Sequence, residues 1–192
     1  MKSNPHASAS IALALLVGLA APTPAQQVTV IGFKTLQQLL PAVQLPGYTR
    51  QRPTGQTSTA MGISVSTASV VYERPAQESD TLGTPTITVT ITDNGGNPMV
   101  GAFAAMANAM AGDVNEETQD GYRKTITVQT RYKGTEEATT APDNKSCTIS
   151  IFVGNRFMVA LEGAYTDDVA ALHTLLGAIK LDQVERAGQT RP

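Results

Sequence analysis

Polar and apolar residues alternate without a break over residues 86–92, Thr-Ile-Thr-Val-Thr-Ile-Thr. A period of two puts Ile87, Val89 and Ile91 on one side of a strand and four threonines on the other. One buried and one wetted face is the signature of an antiparallel sheet. Residues 61–73 predict a second strand, with Ala68, Val70 and Tyr72 opposite Ser69, Val71 and Glu73. Gly121 opens a third, in which Tyr122, Lys124, Ile126 and Val128 share a face, and residues 131–138 predict a fourth. Residues 147–163 read as a hairpin: 147–153, a Gly154-Asn155 turn of the II′ kind, then 156–162 with Phe157, Val159 and Leu161 on one side.

Elsewhere the period lengthens to that of a helix. Thr35 is placed to cap a short helix beginning at Leu36, which Pro41 limits by removing a donor and crowding the preceding turn. Asn97 followed by Pro98 supplies a cap and first turn for a helix that stacks Met99, Phe103, Met106 and Met110 on one face and ends at Gly112. Thr166 caps a last helix, with Asp167 and Asp168 at its positive end and Val169, Leu172, Leu176 and Ile179 as its buried stripe. Residues 44–58 and 113–120 predict loops. The expected fold is therefore α+β: a single mostly antiparallel sheet of about five or six strands, the Met99 and Val169 helices packed on one face, and a short N-terminal helix.

The first 25 residues follow a different pattern. Lys2, the apolar run 11–21 and Thr23-Pro24-Ala25 match a cleavable secretory signal, with small residues at the −3 and −1 positions of a cut after Ala25. The run is shorter than the ~20 residues that span a bilayer, and no cysteine follows the cut to take a lipid. The expected organisation is a signal peptide over 1–25, a short helix and linker over 26–58, an α+β domain over 59–184 and a mobile tail over 185–192. The expected location is periplasmic or secreted, with no stable membrane anchor.

Composition narrows the chemistry. The 192 residues carry 14 Lys and Arg against 16 Asp and Glu, a net charge of −2, with no Trp and one Cys. Without a basic stripe or a stacking platform, nucleic acid is not an expected partner. Charged residues make up 16% of the chain against a typical ~25%, so hydroxyls, chiefly threonine, supply the polar faces. Cys147 alternates with Ile149, Ile151 and Val153 and reads as a small buried hydrophobe. One His after the leader, His173, and no G-x-S-x-G elbow leave nucleophilic hydrolysis without its parts, and neither zinc nor any cofactor has a ligand set.

Two possibilities for a site remain. The turn Asp93-Asn94-Gly95-Gly96-Asn97 carries oxygen ligands before a helix start, which makes Asp93, Asn94 and Asn97 the candidate binding residues, although each also has a turn or capping role. Carboxylates for hydrolysis are available at Glu116, Glu117, Glu136, Glu137, Glu162 and Asp167-Asp168, with Glu162 the one expected to be partly buried, beside Arg156 or Arg123. The leading expectation is a non-enzymatic module that binds an unidentified protein or small molecule. A carboxylate-dependent periplasmic hydrolase is the alternative.

The order of segments supplies one more guide. Leu39-Leu40-Pro41, Pro46-Gly47-Tyr48, the strand 64–72, the run 89–93, Gly121-Tyr122, Gly134 with Glu136-Glu137, the run 153–157 and Glu162-Gly163 together resemble a group of uncharacterised exported bacterial proteins. At the level of fold the layout is also similar to the α-β-α sandwich of PsbP- and Mog1-like domains. That resemblance implies a binding or assembly role. If the leader is processed as read, the intact mass of the exported protein will correspond to a chain that starts at Gln26.

Overall fold

The computed structural model describes residues 29–60, 62–75, 77, 83–95 and 113–189. The leader, Asn97 and the Met99 helix lie outside the described residues. Nine strands are described: β1 (Thr49–Arg50), β2 (Thr54–Ala60), β3 (Ile63–Glu73), β4 (Thr86–Asp93), β5 (Asn115–Thr118), β6 (Gly121–Val128), β7 (Tyr132–Ala141), β8 (Asn144–Val153) and β9 (Phe157–Ala164). They form one sheet in the order β1-β3-β4-β9-β8-β7-β6-β5, antiparallel throughout, with β2 beside β1 along the outer edge of β3. Among the described residues three short helices accompany it: α1 (Phe33–Gln37), α2 (Val169–Ala178) and α3 (Leu181–Gln189).

The fold class expected from the sequence is thereby corrected, from five or six strands with two main helices to a large antiparallel sheet of nine strands with three short helices among the described residues. The added strands are β1, β2 and β5, and each lies at a sheet margin. A marginal strand has no buried face to impose alternation, so β2 is exposed at every position except Gly55, and β5 at all four. Polar sequences of this kind read as loops because the period-two signal comes from burial, not from pairing.

Register carries the side chains of the covered face in rows across the sheet. Val70, Val89, Leu161, Ile149, Glu136 and Lys124 stand in line from β3 to β6, and Ala68, Ile91, Val159, Ile151, Gly134 and Ile126 form the next line. Leu172, Leu175, Leu176, Ile179, Leu181 and Val184 from α2, α3 and their joint close over this face at β8 and β9, while α1 closes over β2 and β3. Each fully buried Leu or Ile here contributes about 1.5–3 kcal/mol. Tyr72, with no exposed surface, donates its hydroxyl to the Pro41 carbonyl at 2.9 Å, which holds the segment after α1 against the sheet. The predicted Cys147 position holds: the thiol is buried, and Gly163 leaves room for it, since a Cβ there would stand 2.5 Å from Sγ.

Local details differ from expectation in four places. α1 begins at Phe33, with Gly32 and not Thr35 at its N-cap and no side-chain capping bond, so Thr35 lies inside the helix. The β8–β9 turn spans three residues, Gly154 to Arg156, because Val153 pairs with Phe157; Gly154 takes the left-handed conformation at φ +59°. The cap of α2 is Asp168, whose Oδ1 accepts from Ala171 N at 3.0 Å, while Thr166 Oγ1 accepts from Asp168 N one step earlier. Residues 185–189, expected to be mobile, continue α3, because Leu181 and Val184 anchor that helix in the core.

At one end of the sheet, Arg156 joins separate parts of the chain. Its Nε and Nη2 donate to Asp93 Oδ1 and Oδ2 at 2.7 and 2.8 Å, Nη1 to the Gly188 carbonyl at 2.9 Å, and Nη2 also to the Thr29 carbonyl at 3.0 Å. Asp93 has no exposed surface. Removing one partner of such a pair strands the other, at a cost of about 3–5 kcal/mol, whereas replacing both by apolar residues is close to neutral. Arg156→Ala should therefore lower the unfolding free energy by about that amount in urea titration, and Asp93→Leu combined with Arg156→Met should recover only part of the loss, because the Ile31 and Gly95 amides lose their acceptor on Asp93.

Candidate functional site

The predicted turn residues fall at this junction. Asp93 ends β4 facing the core, and its carboxylate also accepts from Ile31 N at 2.6 Å and from Gly95 N at 2.8 Å, besides both bonds from Arg156. Asn94 donates its backbone N–H to the Arg156 carbonyl at 3.1 Å. Asn97 lies outside the described residues. The structure thus draws Asp93 and Asn94 into a structural junction, with four donors already on the Asp93 carboxylate.

The carboxylates scatter by strand parity. Glu136 is the buried one, 1% exposed, and Glu162 is exposed, contrary to expectation. The reason is register: Glu136 stands between Ile149 and Lys124 on the covered face, whereas Glu162 lies between Thr88 and Thr148 on the opposite, outer face. Arg156 is committed to Asp93, and no ion pair between Glu162 and Arg156 or Arg123 is present among the described residues. Glu116 and Glu117 sit on the exposed margin strand β5.

Glu136 is saturated by three donors. Tyr122 donates to Oε1 at 2.6 Å, Lys124 Nζ lies 2.9 Å from the same oxygen, and His173 Nε2 from α2 lies 2.7 Å from Oε2. Burial alone would raise the carboxyl pKa, but the bonds from Tyr122, Lys124 and His173 outweigh it and hold the group below the usual glutamate range. The Tyr122 hydroxyl is pushed up to about 12, by burial and then by its bond to Glu136. Burial likewise pushes the Cys147 thiol up to about 11, which removes it as a nucleophile. A carboxylate kept charged and fully bonded is a poor general acid; it serves here to fasten α2 to β6 and β7 through His173. Sequence reasoning identified His173 and Glu136 singly but had no register with which to join them.

A further polar contact pins the β6–β7 hairpin. Arg131 and Tyr132 both donate to Glu185 on α3, at 2.6 and 3.0 Å, after a turn in which Gln129 and Thr130 adopt φ of +48° and +62°. Two clefts of about 420 and 320 Å³ flank Glu185 beside the β8–β9 turn.

The outer face carries the feature best suited to a ligand. A cleft of about 410 Å³ is walled by Thr88, Ser146, Thr148 and Glu162 from the strands, by Asn144 and Lys145 at the start of β8 and by Asp143 from the turn before it, with Tyr165 among its lining residues. Tyr165 is 49% exposed and holds φ at +58°, a conformation that costs a non-glycine residue of order 1–3 kcal/mol. Gly83 passes beneath the ring, where a Cβ would stand 2.9 Å from Cε2. Lys145 is 3.7 Å from Asp167 and fixed on one side by it. Tyr165 carried no sequence signal, because neither exposure nor a left-handed backbone is visible in a lone Tyr between Ala164 and Thr166.

No family model, curated protein or solved structure matches the chain. Among the described residues, no cluster of three or more His, Cys, Asp or Glu side chains could hold a metal ion, and no helix is long and apolar enough to cross a membrane.

The pKa direction at Glu136 fixes a pH dependence. A carboxyl with a native pKa below its unfolded value contributes stability that is present above the unfolded value and is lost as pH falls through the native one. Stability should therefore decline as pH falls below the ordinary glutamate value of about 4.3, and Glu136→Gln should flatten that decline in urea midpoints measured from neutral pH downward.

Proposed function

We propose that the chain is an exported, non-catalytic binding module whose ligand is a neutral, hydroxyl-rich molecule of the saccharide class, seated in the outer-face cleft beside Tyr165. The reading is carried by one observation: a half-exposed aromatic ring, kept in a costly backbone conformation over a bare glycine, lines a cleft whose other walls offer acceptors, amide and ammonium donors, and hydroxyls. Sugar hydroxyls donate and accept together, so they pair with carboxylates, amides and hydroxyls in one site, while the C–H face of the ring stacks on an aromatic. A few polar groups placed around an apolar platform are what orient a small ligand. The leader reading of residues 1–25 supports an extracytoplasmic setting.

The hydrolase reading keeps one supporting observation, since Asp143 and Glu162 line the same cleft. Binding of the mature protein to an immobilised panel of neutral oligosaccharides, followed by calorimetry on any that bind, separates the two. Tyr165→Ala should weaken binding at least about tenfold with the fold intact, and the bound sugar should be recovered whole. Absence of binding across the panel would overturn the proposal. Cleavage of the sugar that Glu162→Gln abolishes while binding persists would establish the hydrolase instead.

A further inference from the structure

The two margins of the sheet are built differently. The β5 margin is four residues long, Asn115-Glu116-Glu117-Thr118, and carries two acids. Short length and like charge are the usual protections against pairing with another strand. The margin formed by β2 has neither. Thr54-Gly55-Gln56-Thr57-Ser58-Thr59-Ala60 runs for seven residues without a charge, a proline or a bulge, in unbroken register from Thr54↔Ser69 to Ala60↔Ile63. Among the described residues it pairs with β3 alone. Hydroxyl pairs hold it flat against β3, with Thr54 Oγ1 to Ser69 Oγ at 3.1 Å, Thr57 to Ser66 at 2.9 Å and Thr59 to Ser64 at 2.8 Å. Its outward backbone groups are therefore already ordered for a further strand.

We infer that β2 pairs with β2 of a second copy of this chain, antiparallel about a twofold axis at Thr57. In that register Thr57 meets its own copy, Gln56 meets Ser58, Gly55 meets Thr59 and Thr54 meets Ala60. A charged strand paired with itself about a twofold brings like charges together, and a neutral one does not. A charged peptide finds no complement on β2, which favours the second copy as occupant. Closure follows from the other margin: continued growth requires β2 of one copy to pair with β5 of the next, and the short acidic β5 prevents it, so the assembly stops at an isologous dimer. Ile63, 49% exposed at the start of β3 beside Ala60, lies close to the joined margin. The inference is independent of the ligand proposal, because β2 and the Tyr165 cleft occupy different parts of the sheet.

Sedimentation of the mature protein from about 1 to about 200 µM brackets a contact of micromolar strength. The expected result is a monomer–dimer equilibrium that Ser58→Lys weakens by about tenfold or more, through like charges on neighbouring positions across the axis, and that Ser58→Thr leaves in place. Hydrogen exchange on the unaltered protein gives a second readout: amides of β2 should slow as concentration rises, and those of β5 should not. A monomer at every concentration overturns the inference, as does a dimer indifferent to Ser58→Lys or growth beyond two copies. Protection of β2 amides already complete in the dilute monomer also overturns it, and would place another segment of the same chain on the margin.

Discussion

Four stretches of chain distant in sequence meet at one guanidinium. Arg156 holds the end of β4 through Asp93, the first described residues through Thr29, the last helix through Gly188, and its own hairpin through covalent connection. Only arginine suits the position, because its planar fork presents parallel donors to a carboxylate and has others left for two carbonyls. A lysine would supply one point charge and leave part of the Asp93 carboxylate unbonded. Burying the pair costs desolvation, and the compensation is geometric: Asp93 also takes Ile31 N and Gly95 N, so the carboxylate loses little by leaving water. With this end of the sheet closed, the strands between keep their register, and the two faces keep their separate characters.

The separation of faces explains how the ionisable groups are distributed. On the covered face each charge is assigned a partner within the fold, Asp93 to Arg156 and Glu136 to Lys124 and His173. On the outer face the same strands alternate largely to threonine and serine, and of the acids on that side Glu162 and Asp143 line an open cleft. A group that is bonded internally stabilises; a group left facing a cleft is available to something else. That contrast, and not the count of acids, separates structural carboxylates from candidate ones.

The sequence made the middle of the sheet readable and concealed its margins. Residues 86–92 and the strands around Cys147 and Val159 alternate because each has one buried face, so β4, β8 and β9 stand where the pattern places them. Thr54–Ala60 and Asn115–Thr118 have no such face, and composition alone cannot distinguish a polar margin strand from a loop. The site was harder to see for a related reason. Glu136 and His173 are 37 residues apart, and their contact depends on α2 lying over β8 and β9 so that His173 reaches Glu136 on neighbouring β7, a tertiary fact with no local trace. Tyr165 depends on a backbone angle, and Glu162 differs from Glu136 only in which side of the pleat it occupies.

Left-handed backbone at non-glycine residues then divides the remaining features by purpose. Gln129 and Thr130 spend their strain on a turn that sets Arg131 and Tyr132 against Glu185, and Gln129 further donates to the Ile179 carbonyl at the α2–α3 joint. That strain is offset within the fold by the contacts it creates. Tyr165 is placed differently. Its ring is half-exposed, and its neighbour Gly83 gives up a side chain to make room for it. The conformation costs of order 1–3 kcal/mol, against which the packing of the ring on Gly83 counts. A ligand held against the exposed side of the ring, as proposed above, would add a contact that offsets this cost, whereas the similar φ at Thr130 belongs to the clamp of Arg131 and Tyr132 on Glu185.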